Sequence, residues 1–428
     1  MNAPLAQAFS PAAGQAANTV GAAGTVSEAF DPFDLTDPFV FYRRARNEAP
    51  VFYSPKVDSW VFSRYEDIKT IFHDWKTFSS QNAQSPFFPL AEETQQILKR
   101  GGFEGRSGLS ARTPPEHTRI RKIVQGAFGP RRFKAIEPEI RDIMHRAIDS
   151  FAAKGEADLI RDFAYDVPAL VIFCLLGVPA EEAPRIKAWS QSRALLTWGN
   201  LSPADQIPHA HNMVRYWDYC RDLVARRHAE PRDDLPGDLV RMQNEGAEIS
   251  DHEIASICYS QLFAGHETTT SLLGNGLREL LLHPSEWRAV IADGALVANA
   301  LDEILRFTPS IVAWRRRVKE KTNVAGVALP EEANLLLLLG SANRDEAVFD
   351  DPDRFDVRRA NARAHLAFGY GIHYCLGAQL AKLQMTIALE VIPQRLTGLR
   401  LKPDQAFTFA PNASFRSPRA LLAEWDAS

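Results

Sequence analysis

One cysteine, Cys375, restricts what this chain can fold into more than any other feature. It lies in a ten-residue loop, residues 368–377, in which Gly371 and Gly377 stand on either side of it. An amphipathic helix is predicted directly after the loop, over residues 377–396. A cysteine at the start of a helix meets free backbone N–H groups and the positive end of the helix dipole, and both lower its pKa. The flanking glycines allow unusual backbone angles and let a flat ligand approach closely.

Three roles for Cys375 can be compared. A lone cysteine is most often a small buried core residue, but a glycine-rich loop is a poor place to bury one. A zinc site would need several more Cys or His ligands, and only His373 is close in sequence. A single thiolate with an open position opposite suits haem iron, and Phe368 can pack beside the sulfur to keep water away. We therefore expect Cys375 to be an axial iron ligand. The other cysteines lie in apolar helical surroundings typical of core residues: Cys174, Cys220 and Cys258.

Charge and cysteine content exclude several classes of protein. A net charge of -4 over 428 residues gives no global basic field, so we expect no nucleic-acid partner. The four cysteines have no CxxC spacing, which is typical of a reducing compartment and predicts a cytoplasmic protein. No apolar run is long enough to span a bilayer, so we expect no membrane association.

The hydrophobic pattern predicts a mainly α fold with small β-sheets. Helical periodicity extends from Pro114 to about Leu282, whereas short strand-like runs occur in residues 51–63, in residues 310–340 and in the last thirty residues. Residues 80–112 are rich in Gly, Ser, Pro and Phe, which indicates a long loop.

The N-terminal residues differ in composition from the rest of the chain. Residues 1–28 are rich in Ala and Gly and contain no Lys or Arg, unlike a secretory signal or a transit peptide. We expect residues 1–28 to be a disordered tail and residues 29–428 to form a single domain, because no convincing boundary follows.

The longest predicted helix runs from Ser250 to Leu281, which is roughly 45–50 Å at 1.5 Å per residue. Ser250 and Glu253 form the S-x-x-E pattern of a capping box. The middle of this helix, residues 264–270, contains a glycine, two ionisable groups and three threonines, and both glycine and threonine are poor helix formers. Either tertiary packing overrides these propensities, or the helix is weakened locally where a Thr hydroxyl bonds back to a carbonyl beside a ligand.

The cysteine loop resembles the haem-binding loop of the cytochrome P-450 superfamily, F-x-x-G-x-H-x-C-x-G. Three further segments resemble bacterial family motifs in the family's order: residues 114–121 a propionate-binding helix, residues 264–269 the oxygen-activation motif and residues 303–306 the E-x-x-R motif. The resemblance covers about residues 30–425 and implies the cytochrome P-450 fold, a single haem domain and haem b (iron protoporphyrin IX). All fixed positions of the loop match: Phe368, Gly371, His373, Cys375 and Gly377.

The resemblance assigns cofactor contacts outside the cysteine loop. His117 and Arg121 would reach the haem propionates, since charge-assisted and often bidentate hydrogen bonds hold a carboxylate firmly. Thr113 departs from the Asp that the family usually has before the two prolines. Spacing favours Arg316 as a further propionate partner, although a slip of one residue would select a neighbouring arginine. Without the resemblance, each of these would be read as a solvated surface charge.

The E-x-x-R motif would be structural. Glu303 and Arg306 would pair with each other, and the resemblance adds Arg354 as their third partner. Without it, the motif would be an ordinary i,i+3 helix ion pair worth a few tenths of a kcal/mol.

The activity that the resemblance implies is monooxygenation, in which one atom of O2 enters a C–H bond or a heteroatom of a small to medium apolar or aromatic substrate. Ala264 and Gly265 would lie over the haem. Thr268 would form a hydrogen bond to the oxygen under activation, and Glu267 would relay protons. Two alternatives remain: a peroxide-using haem-thiolate enzyme, although the family's peroxygenases lack the acid–Thr pair, and a haem-thiolate sensor, although no output module is visible.

A substrate pocket would be built from several separate segments of the chain, most of them bulky and apolar. Taken singly, each candidate is more often a core residue than a substrate contact. The candidates are Phe87, Phe88, Leu196, Trp198, Leu262, Ile311, Val312 and Phe415.

Electrons must come from another module, because no flavin or dinucleotide fingerprint occurs in the sequence. The segment from Arg112 to Lys134 has seven Lys or Arg residues and one acid, Glu116. It is either a docking face for an acidic ferredoxin or simply a solvated helix face. The C-terminal residues 414–418 and 424–426 resemble the haem domains of self-sufficient forms, which implies a fused reductase as the other source.

Overall fold

Helices make up most of the chain that the computed structural model describes, residues 22–104 and 108–426. The mainly α fold with small sheets that the sequence predicts is confirmed. The α-helices are α1 Ala22–Ala29, α2 Pro38–Glu48, α3 Tyr65–His73, α4 Glu92–Arg100, α5 Glu116–Ala127, α6 Pro130–Asp149, α7 Val167–Leu176, α8 Ala183–Trp198, α9 Pro203–Ala229, α10 Leu235–Asn244, α11 Asp251–Ala264, α12 Glu267–Leu282, α13 Pro284–Ala292, α14 Val297–Phe307, α15 Leu339–Ala342 and α16 Ala378–Arg395.

In the described part of the chain, the strands are short and form three small sheets. The largest has the order β1-β2-β8-β5-β3, with β2 and β8 parallel and the other pairs antiparallel. The second has the order β4-β10-β9, and β6 pairs with β7 alone. The strands are β1 Val51–Ser54, β2 Ser59–Phe62, β3 Phe78–Ser79, β4 Glu156–Asp158, β5 Trp314–Val318, β6 Thr322–Val324, β7 Val327–Leu329, β8 Asn334–Leu337, β9 Arg400–Leu401 and β10 Leu422–Glu424.

The main apolar core lies between the helices from α5 to α16. Helix α7 is buried on almost every face, which is the pattern of a central helix rather than an amphipathic one. Helix α12 packs against both α14 and α16, so the helix that follows Cys375 lies beside the predicted oxygen-activation segment. Among the described residues, no helix combines the length and apolar character that crossing a bilayer requires.

Two expectations from the sequence need correction near the N-terminus. The predicted disordered tail is wrong for residues 22–28, because Ala22–Ala29 is a helix whose Val26 is fully buried. Residues 1–21 of that tail lie outside the described residues. The predicted long loop over residues 80–112 contains helix α4, whose sequence EETQQILKR is a short amphipathic pattern.

The predicted long helix is present but interrupted. The capping box is confirmed, since Ser250 N donates to Glu253 Oε2 over 2.9 Å and Glu253 N donates to Ser250 Oγ over 3.2 Å. The helix breaks between α11 and α12 at Gly265 and His266. A Cβ at Gly265 would lie 2.5 Å from Ile172 Cγ1, so the backbone passes too close to α7 for any side chain. Of the two interpretations of this segment, local weakening is the correct one.

The E-x-x-R motif is at the centre of a buried ion cluster in which one predicted partner is wrong. Arg306 Nε lies 2.7 Å from Glu303 Oε2, and both side chains are fully buried. The third member is Arg359, whose Nε lies 3.2 Å from Glu303 Oε2. Arg354 is exposed, and it contributes its main-chain carbonyl, which accepts from Arg306 Nη2 and Arg359 Nη2.

Substituting the two arginines separately tests this correction. Arg359→Ala leaves Glu303 with one cationic partner in a buried site, so the free energy of unfolding should fall by about 2–3 kcal/mol. Arg354→Ala keeps the carbonyl and should change it by no more than about 0.5 kcal/mol. Denaturant midpoints of the holoprotein, followed by circular dichroism, give both values. A larger loss for Arg354→Ala would restore the original assignment.

Candidate active site

A cavity lies between the cysteine loop and the break between α11 and α12. One wall consists of the loop and the first turn of α16, including Phe368, Cys375 and Leu380. The other includes Ala264 and Thr268, with Gly265 between them in sequence. The residues of two motifs separated by about a hundred positions therefore face one space.

The backbone of the cysteine loop is held in a tight, irregular path. Cys375 N donates to Phe368 O over 2.9 Å, which closes the loop on itself. Gly371 has φ +71°, and a Cβ there would lie 2.9 Å from Phe72 O, so both conformation and space require glycine. Gly377 caps α16 with an ordinary φ of -87°, and a Cβ there would meet no protein atom. Its small size therefore matters only toward a ligand in the cavity.

The helix dipole alone would lower the pKa of Cys375, but in the structure the pKa of this thiol is raised. Burial raises the pKa of the thiol. It outweighs the N–H groups of Gly377 and Ala378 and the charge of Arg121, all of which lower that pKa. A metal cation bound to the sulfur would reverse this balance and hold a thiolate.

Four basic side chains, His117, Arg121, Arg316 and His373, form a group that we call the basic cluster. Arg121, Arg316 and His373 line the cavity, and the His117 ring lies 4.3 Å from the His373 ring between centroids. Arg121 Nη2 donates to Tyr374 O over 2.7 Å. Burial, helped by Arg121, lowers the pKa of His117 to about 4, and burial lowers the pKa of Arg316 to about 9.

No carboxylate among the described residues forms an ion pair with the basic cluster. Both ring nitrogens of His117 are buried without a hydrogen-bond partner. Uncompensated buried cations and orphaned donors are costly, so the site is built for an anionic ligand. Two carboxylates of a flat macrocycle, lying across the glycine-bordered loop, would fit this arrangement.

Strand β5 settles which of three consecutive arginines faces the cavity. Trp314 and Arg316 both line it, as expected for alternate residues of a strand. Arg315 lies off the cavity wall and donates to Ser85 O, whereas Arg317 is half-exposed and pairs with Glu332 over 3.1 Å. The structure therefore places Arg316 at the position that its spacing favoured.

The acid–Thr pair lies at the start of α12. Thr268 lines the cavity, and its Oγ1 donates to Ala264 O over 2.8 Å across the helix break. Glu267 does not line the cavity, and His266 Nε2 lies 3.1 Å from Glu267 Oε1 without a well-formed hydrogen bond. His266 Nδ1 contacts Leu262 O over 2.8 Å. The two adjacent side chains therefore face different environments.

The structure places two of the eight predicted substrate contacts on the cavity wall. Ile311 and Phe415 line the cavity, and their backbones form a β-bridge. The other six candidates do not line the cavity in this structure. Of these, Trp198 stacks on Trp314 with centroids 5.2 Å apart and contacts Phe415 edge-on at 5.9 Å. The six are Phe87, Phe88, Leu196, Trp198, Leu262 and Val312.

The sequence missed other residues of the wall. Phe263 and Trp314 line the cavity, and Phe263 contacts Phe415 edge-on with centroids 5.7 Å apart. Their positions directly before Ala264 and two residues before Arg316 could have indicated them. Arg193 also lines the cavity, and no motif singles it out.

Comparison with known proteins identifies the family. The family model "Cytochrome P450" matches residues 42–406. The chain belongs to the cytochrome P450 family. It is 34% identical over 373 residues to the mycinamicin IV hydroxylase/epoxidase of Micromonospora griseorubida, covering 86% of this chain and 90% of that relative. It is 34% identical over 378 residues to the vitamin D(3) 25-hydroxylase of Pseudonocardia autotrophica, covering 85% and 88%.

Solved structures give the same assignment. Cytochrome P450 CREJ, in complex with (4-ethylphenyl) dihydrogen phosphate, is 50% identical with a TM-score of 0.92, covering 94% of this chain and 100% of that chain. An intact type IV self-sufficient P450 monooxygenase is 36% identical with a TM-score of 0.89, covering 93% of this chain and 53% of that chain. This P450 is therefore a haem-binding oxidoreductase, and the basic cluster has the donors to hold the haem propionates.

A substitution at Cys375 tests its assignment as the iron ligand. In the reduced carbon monoxide complex, thiolate ligation gives a long-wavelength Soret band, which Cys375→Ser should lose together with turnover. Cys174→Ser, at an exposed cysteine on α7, should keep both. A Cys375→Ser protein that retained the band would refute the assignment.

Proposed function

We propose that this P450 inserts one oxygen atom of O2 into a C–H bond or a heteroatom of a substituted aromatic substrate. One observation carries the proposal: the Thr268 side chain lies on the wall of the cavity that also holds Cys375. When bound, haem supplies the oxidising chemistry, and the protein supplies orientation, protons and a dry site. The alternatives, peroxide use and sensing, do not require a hydroxyl at this point.

The Thr268 hydroxyl is suited to hold a proton-donating water molecule in the cavity. Its hydroxyl donates to Ala264 O, which fixes the rotamer and leaves the oxygen lone pairs toward the cavity. A water molecule there can donate to Thr268 Oγ1 and supply protons for the reduction of dioxygen by the electrons that the redox partner delivers. The break at Gly265 and His266 opens the helix at that point.

Glu267 is placed to receive protons from solvent. Its charge is one cause that raises the pKa of Tyr165, after burial, and it also acts on Lys187. Lys187 is buried and forms an ion pair with Asp166, whose side chain is 60% exposed. Asp166 and Lys187 thus form a charged pair that begins at the surface and lies within electrostatic range of Glu267, and we propose that protons reach Glu267 by way of this pair.

An aromatic substrate suits the cavity wall. Phe263, Trp314 and Phe415 offer ring faces and edges, and Ile311 adds a branched aliphatic surface. The CREJ structure at 50% identity is a complex with an alkyl-substituted phenyl phosphate. We propose a substrate of the same class, a phenyl ring with a short alkyl substituent.

Electrons would arrive at a smaller surface than the sequence suggested. Within the segment from Arg112 to Lys134, Arg119 pairs with Glu253, while Arg112 and Arg132 also have acidic partners. Three exposed residues have no acidic partner among the described residues, and we call them the docking cations: Lys122, Arg131 and Lys134. We propose that they receive an acidic ferredoxin. A fused reductase stays the alternative, and cytoplasmic location stays a prediction from the cysteine content.

Removing the Thr268 hydroxyl should separate oxygen activation from haem binding. Thr268→Ala should keep a normal thiolate spectrum and still consume NADH and O2 in the reconstituted system. Product per NADH should fall by roughly tenfold, equivalent to about 1.4 kcal/mol, because two electrons and two protons then leave with O2 as hydrogen peroxide. Product and peroxide yields are measured together.

A matched control for this variant lies two residues away. Thr270 is on the same helix, off the cavity wall, and its buried hydroxyl has no hydrogen-bond partner. Thr270→Ala should therefore form as much product per NADH as the parent does. Glu267→Gln should slow turnover rather than uncouple it, since it impairs proton supply. Full coupling in Thr268→Ala would reduce Thr268 to a packing residue.

Charge reversal tests the docking cations. Lys122→Glu should slow reduction by an acidic ferredoxin by roughly threefold to tenfold at low salt, because complementary charges steer association. The defect should shrink as salt rises, since exposed charges are screened beyond about 8–10 Å at physiological ionic strength. Lys99→Glu, on α4, is the control for net charge. Stopped-flow reduction rates that fall equally in both variants, or in neither, would remove this surface from the proposal.

A further inference from the structure

One arginine on the cavity wall is unexplained by haem binding or oxygen activation. Arg193, on α8, lines the cavity, yet only 4% of its surface is exposed. Its Nη1 donates to Tyr259 O over 3.1 Å, and its Nη2 donates to Gln84 Oε1 over 3.3 Å. A guanidinium carries five N–H donors, so these two bonds leave three donors without a partner among the described residues.

Arg193 has no anionic partner among the described residues. Its guanidinium instead lies over two rings, 4.4 Å from the Tyr259 centroid and 4.7 Å from the Phe263 centroid. A buried arginine elsewhere in the chain, Arg227, pairs with the carboxylate of Asp234 over 2.7 Å. A buried charge without a counter-ion is costly, so the wall at Arg193 lacks an anion that a ligand can supply.

The surroundings of Arg193 are polar, unlike the aromatic part of the wall. Besides Gln84, the side chains of Ser110, Ser260 and Gln261 line the cavity, and none forms a protein hydrogen bond among the described residues. A Cβ added at Gly108 would lie 3.0 Å from Ser260 Cβ, so the loop that holds Ser110 is packed against α11 at Ser260. Hydroxyl and amide donors beside an arginine are the usual chemistry of an oxyanion site.

We infer that Arg193 and its polar neighbours bind the oxyanion of the substrate, and, because the similar CREJ protein is in complex with (4-ethylphenyl) dihydrogen phosphate, that the substrate is an aryl phosphate monoester. This inference rests on the proposed function, and it identifies the anionic end of the substrate, which the aromatic wall does not explain. The phosphate would accept charge-assisted hydrogen bonds from Arg193 and further ones from the two serines and Gln261.

The geometry places the other end of such a substrate near Thr268. Ser260 lies on α11 and Thr268 at the start of α12, on opposite sides of the helix break, and both residues line the cavity. Phe263 lies between them in sequence, with Arg193 over its ring, so a phenyl group can pass along that ring toward Ala264. An ester anchored at Arg193 would therefore present its para substituent, and not its oxygen, to the oxidising end of the cavity.

Ligand binding to the haem protein tests this directly, using the high-spin shift of the Soret band. The probes are 4-ethylphenyl phosphate, the neutral 4-ethylphenol, and the matching sulfate and carboxylate. The parent should bind the phosphate at least tenfold more tightly than the phenol, about 1.4 kcal/mol. Arg193→Gln should lose that preference while it keeps the affinity for 4-ethylphenol. Arg193→Lys, which keeps the charge but not the planar fork, should fall between the two.

Arg215→Gln is the matched control, because Arg215 is an exposed arginine on the neighbouring α9 and the substitution changes net charge equally. It should bind all probes as the parent does. Equal affinity of the parent for phosphate and phenol would overturn the inference without any variant, and so would an unchanged preference in Arg193→Gln. Tighter binding of the sulfate or carboxylate would overturn the phosphate assignment. Failure of the proposed function would appear differently, as an absent thiolate band or as no NADH-dependent oxidation of any probe.

Discussion

The guanidinium of Arg306 brings three distant chain segments to one point. It donates to the carbonyls of Asn343, Pro352 and Arg354, which lie 37, 46 and 48 residues further along the chain, while Glu303 balances its charge. Burying ions costs several kcal/mol each, so such a cluster specifies geometry more than it adds stability. Asn343 Oδ1 then accepts from Leu366 N over 2.7 Å, two residues before Phe368. The position of the cysteine loop therefore depends on this cluster.

Electrostatics link the folded chain to its ligands. The basic cluster, with Arg316 among its members, lies at one part of the cavity and Arg193 at another, and among the described residues no acid compensates either. Like charges repel more strongly in a low-dielectric interior than in water. Anything that binds the native state and supplies negative charge stabilises it by mass action. Haem propionates and a substrate oxyanion would each do so, at separate places.

Much of this could be predicted from sequence where the signal is local. The helix start at Ser250 was correct because capping depends on neighbours three residues apart, and the cysteine loop because its glycines reflect its own backbone path. Arg354 was wrong because choosing between it and Arg359, five residues on, requires knowing how the loop folds back on Glu303. The break after Ala264 could be predicted only in part. The poor helix formers indicated a weak point, but its cause is the approach of Ile172 from another helix, which the sequence does not show.

The substrate pocket was the least predictable part, because the sequence does not show in which direction a side chain points. A bulky apolar residue near a motif can face either side of its element, and Trp198 faces the back of Trp314 rather than the cavity. The apolar composition of those candidates also predicted an apolar ligand. The buried Arg193 changes that conclusion, because it favours an anionic group on the ligand. Arg193 lies over the rings of Tyr259 and Phe263, which keep water from part of its surface while its free donors reach the cavity. A charge held this way favours a ligand that is aromatic along its length and anionic at one end, because a purely apolar ligand would leave the guanidinium desolvated and unpaired.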